Sequence, residues 1–572
     1  MRALLLSLSV VVALALPSFG LGVEPSGAAR PLKCVYFSPS DCEPCPDRAE
    51  RLYRVMTCVQ DFYRREMDRN GFGPMTFGLE TTEPGKLKLY EIKAPDPQAT
   101  YGRDSHWAVR KIVVEGLKKY GIDAGREVVV IFQQGLRWEN GRAIEVASFV
   151  GSGSPFNGTA WFYDDPMLDP DKLSSKDPGG SYVGRPCSVG EFNSHYIGGI
   201  AHELGHALTL PHDCELNAER PEFGSALMGG GNHTFGRETR GEGKGAFLTF
   251  SEATRLSVVP AISGLAPKRL PNDARIDDLD FERTSDTSVR AFGQISAPTP
   301  VRALIFYVDP DARAADYDAK TWVVKPDADG KFSVDLTEVV RAPIQLRVTA
   351  VRECDAVELL RCNLTPDGSE GEFAPIRSRI AFRKINDAFV AKDVDALKAL
   401  AETYPTEDSR RDLCLSLVRV LTEKVALQKP SEVDESVRSF DLSNAAFDEV
   451  QVGWARLGRN ASFDGTVLEV KGIGYASGLA AHAQSVLKTT LGRKWKTFTG
   501  LFGMPEGSRG SVTFVVKGDG RELLRVDDPN EANGRAFSLD VSDVDVLELI
   551  AGDAGDGVTS DHSQWINPIL ER

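Results

Sequence analysis

The stretch His202-Glu203-Leu-Gly-His206, continuing Ala-Leu-Thr-Leu-Pro-His212-Asp213, constrains this chain more than any other. Residues four apart share one face of an α-helix, so His202 and His206 can grip a single ion. Glu203, beside the first of them, is placed to touch a water on that ion rather than the ion itself. Pro211 forbids a regular helix through His212, so the chain must turn back if His212 is to become a third ligand. Three neutral imidazoles would fill three tetrahedral positions of Zn²⁺ and leave the fourth for water, which is the pattern of a catalytic zinc rather than a closed structural one. The plain alternative is an amphipathic core helix with satisfied histidines. Against it, only eight histidines occur in 572 residues, and three of them fall within these eleven positions.

The chain is too long for a single core, and about 150 residues per domain suggests several domains. A net charge of −15 argues against general affinity for nucleic acid or anionic membrane, which both require a basic face. Residues 1–22 have the form of a secretory signal: Arg2, an apolar run over Ala3–Leu16, then small residues at Ser18, Gly20 and Gly22. No later stretch is long and apolar enough to span a bilayer, so the mature protein is expected to be secreted, extracellular or periplasmic, without a membrane span. Nine cysteines fit an oxidising destination, with disulfide bonds as the default and Cys414 as the candidate for the unpaired thiol.

Along the chain, Lys33–Ser38, Leu87–Ile92 and Glu127–Phe132 read as strands, and Asp47–Asn70 and His106–Tyr120 as helices. This gives a mixed α/β layer before the zinc helix. Residues 151–190, rich in Gly, Pro, Ser and Asp, read as a long loop with one strand-like insert, Thr159–Tyr163, suited to edge pairing with an extended peptide. Asp164, Asp165, Asp169 and Asp171 read as a solvated loop face, with calcium or basic substrates as the alternative. Asn193 or Ser194 is expected to cap the zinc helix, which runs to about Leu208. After the α/β domain (31–265), short strands separated by Asp, Pro and Gly turns predict an immunoglobulin- or fibronectin-like β-sandwich over 266–375. Residues 376–428 read as a helical spacer, and 439–572 as a strand-rich domain.

His202, Glu203, His206 and His212, followed by Met228 in a tight turn, resemble the metzincin clan of zinc peptidases, whose pattern is HExxHxxGxxH plus a Met-turn. The resemblance spans 31–265 and departs from the pattern at Thr209, where the clan carries a glycine, and at Gly230, where some branches carry a tyrosine. It implies peptide-bond hydrolysis of a protein or peptide substrate: zinc acidifies a water and polarises the scissile carbonyl, with Glu203 as general base and then general acid. A competing gluzincin-like reading makes His212 a bystander and Glu252 the third ligand.

The stretches Gly474-Tyr475-Ala-Ser-Gly-Leu-Ala-Ala-His482-Ala and Gly552-Asp553-Ala-Gly-Asp556-Gly-Val-Thr-Ser-Asp561-His562-Ser-Gln-Trp565 resemble the NPCBM family, a carbohydrate-binding module with a galactose-binding-like jelly-roll fold. That resemblance implies a glycan or cell-wall polysaccharide as partner. Tyr475 or Trp565 would stack on a sugar ring, and His482, Asp553, Asp556 and Asp561 would bind sugar hydroxyls or Ca²⁺; the plain alternative places His482, His562 and Trp565 in core or turns. The expectation is therefore a secreted zinc endopeptidase directed to glycans by its C-terminal module, set against a glycan-binding protein whose zinc domain is vestigial or structural.

Overall fold

The computed structural model describes residues 30–310, 316–366, 371–505, 508, 510–527 and 533–572; the expected signal segment, 1–22, lies outside them. The chain divides into two compact units at Pro375/Ile376.

The first unit opens with a mixed sheet. Strand β1 (Pro31–Ser38) is followed by helix α1 (Arg48–Arg69), β2 (Tyr90–Lys93), helix α2 (His106–Lys118), β3 (Val128–Gln134), β4 (Val150–Gly153) and β5 (Gly158–Asp164). β1 pairs in parallel with β2 and β3, β3 in parallel with β5, and β4 runs antiparallel to β5 at the sheet edge. Alternate residues of β1 serve opposite layers, as the pleat demands. Leu32, Cys34 and Tyr36 join the core shared with α1 and with helix α3 (Val189–Ala207), while Val35 and Phe37 pack with Val109, Val113 and Leu117 of α2. Each fully buried aliphatic side chain in these layers contributes about 1.5–3 kcal/mol.

Within β5, Thr159–Trp161 pairs with both neighbouring strands and Phe162–Tyr163 with β3 alone, so the insert is an interior strand; the terminal strand is β4. Of the four aspartates that read as a solvated face, Asp171 is exposed as expected and the other three are structural. Asp164 is buried and accepts from Arg51 at 2.7 Å and from the Tyr36 hydroxyl at 2.6 Å, Asp165 accepts from the Trp138 indole at 2.8 Å, and Asp169 pairs with Arg54. All nine cysteines are free thiols, which corrects the expectation of disulfide bonds. Cys34 illustrates the reason: it faces the core from the middle of β1, where burial pushes its thiol up to about 12.

A short helix, α4 (Phe250–Leu256), precedes a two-sheet sandwich of seven strands: β6 (Arg275–Ser285), β7 (Ser288–Ser296), β8 (Ala303–Asp309), β9 (Lys320–Val324), β10 (Lys331–Thr337), β11 (Ile344–Val351) and β12 (Ala356–Leu364). One sheet has the order β6-β7-β10 and the other β9-β8-β11-β12.

In the second unit, helices α5 (Ala374–Val390), α6 (Val394–Thr403) and α7 (Ser409–Thr422) precede two antiparallel sheets with a shared core. The helices do more than space the chain. Val467, Ala461 and Ala476 of the β-rich part pack into their cluster, and the Asn386 side chain accepts from Val467 N at 2.9 Å. At Gly474 any β-carbon would strike Phe382 of α5 at 2.6 Å and Leu413 of α7 at 2.7 Å. Among the described residues no helix is long and apolar enough to cross a membrane.

Candidate metal centre and substrate cleft

Helix α3 starts a turn earlier than Asn193. Ser188 caps it, its hydroxyl accepting from Glu191 N at 3.0 Å. Asn193 and Ser194 are instead buried within the helix, where Asn193 accepts from Asp169 N at 2.6 Å and Ser194 from Gly236 N at 2.7 Å. The helix stops at Ala207, and Leu210 N returns to Gly205 O at 2.9 Å, the reverse turn that a left-handed residue after the C-cap permits. That residue is Thr209, at φ 75°. A β-branched side chain there costs roughly 1–2 kcal/mol. Arg255 of α4 donates to the Thr209 carbonyl at 2.9 Å and helps hold the turn.

This turn brings His212 back to the helix. The ligand atoms of His202, His206 and His212 lie within 4.8 Å of one another, the one such cluster of metal-binding side chains among the described residues. His202 Nδ1 donates to Leu227 O and His206 Nδ1 to Leu210 O, both at 2.8 Å, which fixes each ring's tautomer and leaves Nε2 with its lone pair for an ion. His206 Nε2 and His212 Nε2 stand 2.9 Å apart. Ligand nitrogens about 2.0–2.1 Å from a tetrahedral zinc are separated by about 3.3 Å, so a small adjustment of the rings accommodates the ion. Burial, with the neighbouring imidazoles, pushes His202 down to about 3 and His206, for the same reasons, down to about 4. Both are therefore neutral, as ligands must be.

Glu203 is partly buried, and desolvation raises its carboxyl to about 8, opposed by a hydrogen bond from the Gly151 amide of β4. The strand can come this close only because residue 151 has no side chain: a β-carbon there would lie 1.9 Å from Glu203 O. Met228 is fully buried against Gly205 under the histidines, in a turn closed by Gly229 N to Ala226 O at 3.1 Å. Glu252 is not part of the cluster. Its carboxylate accepts from Met228 N and Thr249 N, each at 2.9 Å, and shares a hydrogen bond with Asp213. Burial and the neighbouring Asp213 charge raise Glu252 well above the usual carboxylate range.

Beside Glu203 opens a cleft of about 500 Å³, lined among others by Arg103, Glu145, Tyr182, His195 and Asn232. Tyr182 stacks on His195 at 3.9 Å and its hydroxyl meets His233 Nδ1 at 3.3 Å, forming a flat polar-aromatic wall. The three histidines and Glu203 singled out in the sequence are brought together here; the sequence reading missed this wall, β4 and Tyr317, which stacks on His212 at 3.7 Å from the sandwich. No local pattern links these residues to the motif; only the fold does.

In the second unit the sequence-derived sugar residues fare differently. Trp565 is 1% exposed, packed against Phe514 at 5.3 Å and Phe502 at 5.8 Å, so it cannot stack on a ligand. Tyr475 is half-buried against Leu468, Val470, Ala480 and Ile566. His482 is buried, its Nδ1 bonded to Ala483 O at 2.6 Å. Asp561 is buried and accepts from Ser511 N at 2.9 Å, Asp556 accepts from the Ser511 hydroxyl at 2.7 Å, and Asp553 from Gln484 Nε2 at 3.2 Å. These carboxylates hold the loops and are not gathered around a cation position, so the expectation of Ca²⁺ has no support. The open pocket of this unit, about 530 Å³, is lined instead by Phe382, Phe463, Asp464, Glu469, His562 and Gln564, among others.

Residues 438–571 match the NPCBM/NEW2 domain family, so the C-terminal module is an NPCBM domain. No curated protein is close enough to the chain to match. Among solved structures, the chain is similar to catalytically inactive OgpA from Akkermansia muciniphila in complex with an O-glycopeptide (glycodrosocin) substrate. The identity is 25% over 60% of this chain and 94% of that one, with a TM-score of 0.52. Wild-type OgpA from the same organism matches with 25% identity over 59% of this chain and 94% of that one, at a TM-score of 0.51.

Proposed function

We propose that this protein is an exported, zinc-dependent peptidase of metzincin type that hydrolyses peptide bonds in O-glycosylated polypeptides, with its NPCBM domain holding it to glycans. The observation that carries the reading is the convergence of three imidazoles beside Glu203, which together with Val150 of the edge strand β4 lines a polar cleft. Similarity to OgpA, seen with an O-glycopeptide substrate, supports the substrate class.

His202, His206 and His212 would hold the ion, which when bound supplies Lewis acidity to a water and to the scissile carbonyl. Glu203 would accept the water's proton at its carboxylate as the C–O bond forms, and then deliver that proton to the amine nitrogen as the C–N bond breaks. The raised affinity of Glu203 for protons suits the second transfer, and the Gly151 amide holds the carboxylate in position for the first. β4 offers its unpaired edge to the substrate backbone, which fixes the peptide beside Glu203. The cleft lined by Arg103, Glu145, Tyr182 and His195 has the mixture of charged groups and flat rings that a sugar needs, and would receive the glycan next to the cleaved bond.

The test is metal analysis of the purified full chain together with mass-spectrometric digestion of one peptide in glycosylated and bare forms. We expect about one zinc per chain, cleavage of the glycosylated form, and loss of cleavage with retained zinc in Glu203→Ala. Zinc binding without cleavage of either peptide, unchanged by Glu203→Ala, would sink the enzymatic reading in favour of a binding protein.

A further inference from the structure

The two halves of the metal site are built to different standards of rigidity. His202 and His206 stand on a helix of nineteen residues that is buried along most of its length. His212 stands on residues 210–216, which have no regular secondary structure. A ligand on irregular chain is as well placed as its outside contacts make it, and metal affinity depends on such supports.

Those contacts come from the β-sandwich and run along the segment residue by residue. The Tyr317 ring lies on the His212 ring at 3.7 Å with the planes 24° apart, and is parallel to His202 at 6.2 Å. Cys214 N donates to Ala319 O at 2.8 Å. The hydroxyl of Thr321, on β9, reaches Asp213 at 3.4 Å and Ser251 of α4 at 2.8 Å, and Ser251 in turn donates to Asp213 at 2.7 Å. Residues 317, 319 and 321 thus meet 212, 214 and 213 in one strip.

Tyr317 is itself held. Its turn is closed by Ala319 N to Asp316 O at 3.0 Å, and Asp316 is anchored by an ion pair of 2.9 Å with Arg347 of β11, a nearly buried arginine. Tyr317 is 48% exposed, so burial contributes little to holding it. Its extensive contact is the face of a candidate ligand.

We infer that the β-sandwich completes the metal centre by supplying Tyr317 as a positioning residue, whose ring fixes the orientation of His212 while the 319–321 strip fixes its backbone. The inference rests on the zinc reading of the three histidines. It makes the sandwich part of the metal site: the α/β domain contains all three ligands but not the surface that orients the third.

The experiment uses the full chain and reads zinc(II) affinity by competition with a chromophoric chelator, plus the visible spectrum of the cobalt(II)-loaded protein. Four proteins are compared: wild type, Tyr317→Phe, Tyr317→Leu and Tyr317→Ala. Loss of an outer support typically costs 10–100-fold in metal affinity, so Ala and Leu are expected to bind zinc at least about tenfold more weakly than wild type and to give an altered cobalt(II) spectrum. Phe, which keeps the flat ring, should remain within about threefold. At saturating zinc the Ala variant should recover much of its lost kcat, since the ring acts through His212 rather than on substrate. Wild-type affinity and spectrum in the Ala variant would overturn the inference, as would equal affinities for Leu and Phe. Thermal melts of the metal-free variants separate a folding defect from a site defect: a Leu variant that melts like the Phe variant and still binds zinc more weakly isolates the ring. A wild-type protein that binds no zinc refutes the metal reading itself, which is a different outcome.

Discussion

The candidate metal centre and the NPCBM domain both announce themselves in sequence by short motifs of His, Asp and aromatic residues, yet the structure uses those motifs in opposite ways. In the first unit His202, His206 and His212 have one ring nitrogen tied off or packed and another aimed at a shared point. In the second, Trp565, His482 and Asp561 are turned inward, and their roles are packing and loop closure. The family pattern of the NPCBM domain is thus largely a pattern of architecture, while the residues facing open solvent, such as Trp454 at 58% exposure and its neighbour Phe463 at 5.3 Å, belong to no motif that was read.

The contrast can be broken most directly at Trp565. Trp565→Ala is expected to destabilise the second unit by about 3–5 kcal/mol, seen as an earlier melting transition, with peptide cleavage by the first unit unaffected at lower temperature. A variant that melts normally but loses glycan binding would return Trp565 to the role the motif suggested. In the first unit, Gly151→Ala is the corresponding probe. Its β-carbon must displace the strand from Glu203 O, and a misplacement of about 1 Å near reacting groups costs on the order of 10²-fold, so kcat/KM should fall by about that factor with zinc content unchanged.

Thr209→Gly probes a motif position where the chain departs from its resemblance. Because φ is 75° there, glycine removes roughly 1 kcal/mol of strain and returns part of it as unfolded-state entropy. A small gain in melting temperature with full activity is expected; a marked loss of either would mean that the Thr209 side chain has a role of its own. The smallest effect is at Glu469, buried beside the pocket of the second unit. Desolvation raises its pKa, so the folded state favours the protonated form. Its contribution to stability is therefore fully present below the unfolded pKa and is lost as pH rises through the raised folded value. Urea melts across that range should show a decline in stability that Glu469→Gln flattens; an unchanged slope would remove Glu469 as the cause.

What could be read from sequence was what is local. α1 and α2 follow apolar spacing closely, and the end of α3 falls where Pro211 and the β-branched Thr209 suggested. The start of α3 was misplaced because Asn193 and Ser194 are good capping residues that tertiary contacts recruit elsewhere, whereas Ser188 with Glu191 three residues on is the cap in use. The interior position of β5 was hidden because a strand buried on both faces looks like any short apolar run. Cysteine count pointed to disulfides, but pairing is a question of geometry, and all nine thiols are free. Tyr317 and the cleft wall were invisible because their partners are distant in sequence and no periodicity connects them.

The edge position of β4 carries a further consequence. A polypeptide that docks along a strand edge is gripped through its backbone at every second residue, and its side chains point alternately toward and away from the enzyme. Such a grip works like a ratchet with a step of two: it accepts chain that is already extended and rejects folded helix or compact domain. Since β4 is only four residues long, from Val150 to Gly153, it samples a short window. On the proposed reading, selection among cleavage points would fall to whatever large substituent occupies the adjoining cleft, so that an attached sugar, rather than a particular run of amino acids, would set where the chain is cut.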